Sequence, residues 1–331
     1  MAIPDDPCWV GFDLGGTKML AVLFDGQFQP LARKRKKSKG HEGEQAGLNR
    51  IMEMIEELLD EAGVERQRLA GIGVGCPGPV QLEEGVVHEA INLGWRHVPV
   101  RKRLEDRFGC PVEVANDVDL GVYAEWRFGA ARGARTAVGI FPGTGIGGGC
   151  VYQGEILRGH SVSAMEIGHI RVLPDGPLCG CGGRGCLEAV ASRLAIASEA
   201  ARAAYRGDAP HLRRLAGTAV EDIRSGVLAE AIALGDTVVE QIVRHAARAL
   251  GLGVAALVHL LAPEVVVLGG GLVEAMPAWY VQTVHQAARE ALMPAYRDLF
   301  EVKPAQLGDD ATALGAAAWA EKRHSAAEPV G

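Results

Sequence analysis

Three kinds of side chain in this sequence have the types and spacing to do chemistry. The first is a pair of glycine-rich turns. Asp13-Leu14-Gly15-Gly16-Thr17-Lys18 lies between two apolar runs, Cys8–Leu14 and Met19–Phe24. Glycines without side chains let backbone N–H groups approach an anion closely. Thr17 adds a hydroxyl and Lys18 a cation, and Asp13 is placed to hold Mg²⁺, through water, because Mg²⁺ keeps much of its hydration shell. Gly143-Thr144-Gly145-Ile146-Gly147-Gly148-Gly149 repeats the theme with less side chain. It has no Gly-Lys-Ser/Thr ending, so it is not a Walker loop. It runs into a strand rather than a helix, which argues against a dinucleotide fingerprint. One such turn is an ordinary tight hairpin; two in one chain point to phosphate.

The second is Asn116-Asp117 at a strand-to-helix junction. Asn and Asp there cap the free N–H groups of the first turn, and a carboxylate so placed can also take a proton from a substrate hydroxyl. The third is His169 followed by Cys179, Cys181 and Cys186. One His and three Cys make a full tetrahedral Zn²⁺ set, with no position left open, so the expected zinc is structural. A further glycine run, Gly269-Gly270-Gly271, ends the apolar segment Val265–Leu268 and offers a flat backbone surface for adenosine.

These residues need elements to hold them. Patterning predicts strands at Cys8–Leu14, Met19–Phe24, Leu69–Gly75, Pro111–Ala115, Glu264–Leu268 and Phe300–Gln306, with a second hairpin from Thr136 onward. Helices are expected at Gly47–Ala62, Val98–Phe108, Asp117–Phe128, Ser192–Tyr205, Val220–Ala233, Asp236–Leu261, Ala278–Ala291 and Asp310–Lys322. Alternation of strand and helix gives an α/β class. The two hairpins form a weak internal repeat. A chain of 331 residues suggests two domains, with a boundary near Ala115–Asp119.

Bulk properties narrow the function. A net charge of -7 disfavours a general nucleic-acid binder. The basic run Arg33–Lys39 is expected to be a charged strand edge or loop, which discourages edge-to-edge pairing. There is no signal-peptide pattern at the start. The most apolar run, Leu250–Ala262, is too short to span a bilayer and is expected as a buried helix. Cys8, Cys76, Cys110 and Cys150 are expected in the core.

Together these motifs resemble the ROK family (repressor, open reading frame, kinase) of sugar kinases, from Asp13 to Ala320. The most specific part is Glu166-Ile167-Gly168-His169 followed by CGCGGRGCLE (179–188). Gly308-Asp309-Asp310-Ala311 before Gly315-Ala316-Ala317 fits as well. The resemblance implies a two-lobed actin/hexokinase-like (ribonuclease H-like) fold with a cleft between the lobes. The small lobe would span 1–117 and be completed by the C-terminal helix at about 309–331; the large lobe, 118–308, would carry the zinc. It also implies ATP-dependent phosphorylation of a hexose at the 6-hydroxyl, of glucose foremost. Asp117 would be the base. Asn92, Asn116, Asp117, Glu166, His169 and Glu188 would bind sugar. Asp13, Gly15, Gly16, Thr17, Lys18, Gly143, Thr144 and Gly145 would hold the phosphates, with Gly270 and Gly271 near adenosine. His169, Cys179, Cys181 and Cys186 would hold zinc, leaving the second ring nitrogen of His169 for a sugar oxygen. ATP, Mg²⁺, a cytoplasmic location and a homodimer come with the family, without a membrane or nucleic-acid partner.

Alternative sugars are fructose, mannose, N-acetylglucosamine and N-acetylmannosamine, and a non-catalytic sugar sensor is a further alternative. A repressor of the family carries a helix-turn-helix before this part, and only twelve residues precede Asp13. Polyphosphate as donor is disfavoured by the Gly269–Gly271 loop. Two positions depart from the family pattern. Met165 stands where Gly is expected before Glu166, which bears on sugar preference. Asp119 stands where Asn is common, close enough to Asp117 to raise its proton affinity.

Overall fold

The computed structural model describes residues 6–325. They form two compact units. One comprises the residues up to Phe128, then Glu155–Ala164 and the residues from Asp309 on; the other comprises Gly129–Gly154 and Met165–Gly308. The division thus falls after Phe128, not after Asp117. The helix Asp117–Phe128 stays with the first unit because it lies backbone to backbone on the C-terminal helix. A Cβ on Gly315 would sit 1.9 Å from the Leu120 carbonyl oxygen.

The first unit is built on a five-stranded sheet in the order Pro30–Lys37, Lys18–Phe24, Cys8–Leu14, Leu69–Cys76, Val112–Asn116. The first three strands are antiparallel and the last three parallel. One face packs helix Ala311–Ser325. Gly11 and Gly73 make this possible: a Cβ on either would lie 1.8 Å from a carbonyl oxygen of that helix. The other face buries Leu48, Ile51, Ile55 and Leu58 of helix Glu44–Ala62 and Leu104 of helix Val100–Phe108 against Val10, Phe12 and Val74.

The basic run forms the edge strand Pro30–Lys37. Its alternate residues pair to opposite sides, Arg33 and Arg35 with Asp310 and Asp309, Lys34 and Lys36 with Glu57. These charges are spent on the protein's own carboxylates. A small antiparallel sheet of Val80–Gln81, Val86–Ala90 and Trp95–Val98 was not expected. Pro99 follows its last strand, so the next helix begins at Val100.

The second unit carries the hairpin Thr136–Pro142 and Ile146–Tyr152, with Val265–Leu268 parallel to its first strand and Glu301–Pro304 parallel to that. Each unit therefore repeats one design: an antiparallel hairpin whose first strand continues into two parallel neighbours. The repeat read faintly in the two glycine turns is a repeat of topology. Helix Ser225–Ala233 is shorter than expected, and Pro210–Ala216 is an additional helix. The apolar run Leu250–Ala262 is the last part of helix Thr237–Leu261 with its cap Ala262, and is buried on one face only; Leu252 and Leu260 are exposed. Among the described residues no helix is long and apolar enough to cross a membrane. Cys8, Cys76, Cys110 and Cys150 are all buried.

Candidate active site

In the first unit the carboxyl ends of three parallel strands bring the candidate acids together. Asp13 pairs in register with Gly75, and the next residue of that middle strand, Cys76, pairs with Asn116. Carboxyl ends of parallel strands are where open α/β sheets bind ligands. Asp117 opens the following helix. Asn116 is its cap, as expected: Oδ1 accepts the N–H of Val118 (2.8 Å) and of Asp119 (3.2 Å). Asn116 Nδ2 donates to the Gly78 carbonyl at 3.1 Å, which leaves one amide N–H for a ligand. The hydroxyl of Thr312 donates to the Asp117 carbonyl oxygen at 3.2 Å. Gly75 keeps this corner open, since a Cβ there would lie 2.5 Å from Thr312 Cγ2.

Both acids hold their protons tightly. Burial, and then the nearby negative Asp117, push Asp13 up to about 7, with Arg35 opposing. Burial pushes Asp117 up to about 6 against backbone N–H groups that stabilise its ionised form. A carboxylate raised in this way is a better proton acceptor near neutral pH. Asp119 is buried in the same helix turn.

The Gly15–Lys18 turn closes the first hairpin, with Leu14 opposite Met19. Ser38 shapes it: its N–H donates to the Thr17 carbonyl at 3.0 Å and its hydroxyl to the Gly15 carbonyl. Thr17 and Lys18 are exposed. Asn92, in the turn Ile91–Leu93, lies beside this loop, 3.1 Å from where a Cβ on Gly16 would be.

In the second unit, Gly143-Thr144-Gly145 joins the hairpin strands, and Gly143 N donates to Gly145 O at 2.8 Å. Glu188 is tucked against this loop. Its Oε2 accepts the N–H of Ile146 at 3.0 Å, and a Cβ on Gly145 would come within 2.3 Å of that oxygen. The same carboxylate's Oε1 lies 3.9 Å from Cys179 Sγ. The turn Ile167–His169 packs on the hairpin through Gly168, whose Cβ would meet the Ile146 carbonyl oxygen at 2.3 Å. Met165, just before it, has φ +68°. This explains the Gly expected there: the backbone is left-handed, a conformation glycine adopts without strain.

His169, Cys179, Cys181 and Cys186 converge, with their ligand atoms within 4.8 Å of one another. Cys181 and Cys186 sulfurs are 3.7 Å apart, and Cys179 Sγ is 3.7 Å from His169 Nδ1. Zn–S bonds of about 2.3 Å at tetrahedral angles set sulfurs ~3.8 Å apart, so the cluster has the spacing of a zinc site. Gly185 makes the knuckle possible, at φ +71° and with no room for a Cβ against the Leu173 carbonyl.

Gly143 and Gly271 line one pocket of about 880 Å³, with Pro142, Arg193, Arg224 and Ser225 among its walls, within the size range of nucleotide-sized ligand sites. Arg193, Arg224 and Ser225 were not singled out from the sequence, because a helix start and a turn carry no glycine-type signature.

The sequence model of the ROK family matches residues 9–323. The chain belongs to the ROK family. It is 33% identical to a glucokinase of Thermotoga maritima, over 95% of this chain and 97% of the other. A ROK family glucokinase from Streptomyces griseus, solved in complex with glucose and AMPPNP, superposes with a TM-score of 0.81 at 32% identity, covering 95% of this chain and 99% of that one. The ROK hexokinase of Thermus thermophilus gives a TM-score of 0.79 at 36% identity, covering 94% and 96%. The architecture is thus the actin-like α/β fold of ROK hexokinases. DNA-binding repressors of the family are also relatives, at lower identity.

Proposed function

We propose that this ROK protein is an ATP-dependent hexose kinase that transfers the γ-phosphoryl group to the 6-hydroxyl of glucose. The observation that carries this reading is Asp117, a carboxylate raised to about 6, standing beside Asp13 at the carboxyl ends of parallel strands. Asp117 accepts the hydroxyl proton as the sugar oxygen attacks phosphorus and the bond to ADP breaks. Phosphoryl transfer depends mostly on positioning and charge stabilisation. That task falls to the loop Asp13–Lys18 and to Gly143–Gly145, with Gly270 and Gly271 beside the adenosine. Mg²⁺, when bound near Asp13, would neutralise charge on the phosphates.

Asn92, Asn116, Glu166, His169 and Glu188 are assigned to sugar hydroxyls. The spacing at His169 Nδ1 favours that atom as a ligand to structural zinc alongside Cys179, Cys181 and Cys186. Ligation there would fix the ring plane and tautomer and leave Nε2–H as a donor for a sugar oxygen. Zinc bound by these four residues would hold the sugar-binding turn in shape. The reading carries with it a cytoplasmic homodimer, which sedimentation would test, and no DNA-binding role, which a mobility-shift assay would test.

The deciding experiment is an ADP-release assay with glucose, fructose, mannose, N-acetylglucosamine and N-acetylmannosamine, with polyphosphate as alternative donor. Glucose with ATP should give the highest kcat/KM. Asp117→Asn should lower kcat by at least roughly 100-fold while sugar binding, measured directly, is kept. Turnover of no sugar by the wild type would refute the kinase, and wild-type turnover by Asp117→Asn would remove Asp117 as the base.

A further inference from the structure

The 880 Å³ pocket of the second unit is walled by two cations that the motifs do not account for, Arg193 and Arg224, and Arg193 is the one tied to the glycine loop. Arg193 is the first residue of helix Arg193–Arg206. Its backbone N–H donates to the Gly143 carbonyl at 2.9 Å, and its Nη2 donates to Thr144 Oγ1 at 3.0 Å. Both ends of the residue are therefore tied to the glycine loop. Among the described residues its guanidinium has no carboxylate partner.

The loop itself is short of what a phosphate chain needs. Of the four amides from Gly143 to Ile146, that of Gly143 is spent on Gly145 O and that of Ile146 on Glu188 Oε2. Two N–H groups remain among the described residues, and the Glu188 carboxylate lies against the same loop. At the loop itself a polyanion would meet two neutral donors and the Glu188 carboxylate, and the pocket walls add Glu221 and Glu274 against Arg224. A guanidinium has five N–H donors in a planar fork. Thr144 takes one, and the rest are available beside the loop backbone.

We propose that Arg193 binds the phosphate chain of the donor nucleotide, offsetting Glu188 and completing the donor set of the Gly143–Gly145 loop. The proposal rests on the pocket's being the nucleotide site. The test is direct binding of ADP and of adenosine, by calorimetry, to wild type, Arg193→Gln, Arg193→Ala and Thr144→Val. Losing a charge-assisted contact should weaken ADP roughly 10- to 100-fold in both Arg193 variants, leave adenosine within about twofold, and raise the KM for ATP more than it lowers kcat. Thr144→Val, which removes the loop bond and keeps the charge, should weaken ADP less. Arg193→Gln binding ADP like the wild type would overturn the proposal. So would equal losses for adenosine and ADP, or a Thr144→Val loss as large as that of Arg193→Ala, which would make Arg193 a brace for the loop only. A wild type that binds neither ligand would instead refute the nucleotide site itself.

Discussion

If Asp117 is the base, the rate must fall in acid with the titration of its carboxyl, and the structure says where. Burial holds this group at about 6. Only about 9% of it is ionised at pH 5 and about 91% at pH 7, so kcat/KM for glucose should drop about tenfold between them. An ordinary aspartate near 3.9 would remain more than about 90% ionised at pH 5, and the rate would hardly change. Asp13, pushed up to about 7 partly by Asp117, titrates with it, so the limb belongs to the pair. Asp13→Asn removes one partner and should leave a simpler single-step limb on a lower plateau. The stability sign runs the other way. A carboxyl with a raised folded value favours the native state fully below its unfolded value, and that contribution is lost as pH rises through about 6. Asp117→Asn should therefore melt no lower than the wild type at pH 8. The assay is an ADP-coupled rate profile from pH 4.5 to 8.5, with coupling enzymes in excess and unfolding excluded at each pH. A flat profile down to pH 5 would refute the assignment of a raised Asp117 as base.

Cys181→Ser, or chelation of the wild type, should lower both the melting temperature and the bound zinc and raise the KM for glucose, with a smaller effect on the KM for ATP; a metal-free protein with an unchanged KM for glucose would defeat the zinc assignment. Met165→Gly relieves a left-handed non-glycine residue, φ +68°, at the cost of extra freedom in the unfolded chain. The net should be roughly 0–1 kcal/mol of stabilisation, so Tm should hold or rise by up to about 2 °C, and a fall of several degrees would show that the Met165 side chain matters more than its backbone. Gly145→Ala places a Cβ 2.3 Å from Glu188 Oε2. The displaced carboxylate loses its bond to Ile146 N, and kcat/KM should fall by roughly tenfold or more, while a fully active, normally folded variant would show that Glu188 can move without consequence.

Most of what holds the site was legible because it depends on local chemistry. The hairpins around Gly15 and Gly143 read as apolar run, glycine turn, apolar run, and each forms as such. Asn116 reads as a cap and is one, because a short polar side chain before an apolar-periodic run has few other uses. The four zinc-type residues read as a set because thiols so close in sequence can meet with little chain in between. What was not legible depends on contacts distant in sequence. The strands Val86–Ala90 and Trp95–Val98 are short and separated by a turn that holds Asn92 and Gly94, so period alone could not separate them from loop. The end of the first unit at Phe128 depends on Leu120 meeting Gly315 across the chain, which no local pattern records.

Glu188 shows the same limit within the site. Its sequence neighbours mark it as a cluster residue, following Cys186 at the start of a short helix. Its carboxylate in fact spans two features, with Oε2 on the hairpin amide of Ile146 and Oε1 near Cys179. The Cys/His cluster is therefore linked to the glycine loop through one side chain. The glycine at 145 is needed for that contact as much as for any approach by phosphate. The same residue type thus serves two demands at one position, and only the fold shows both.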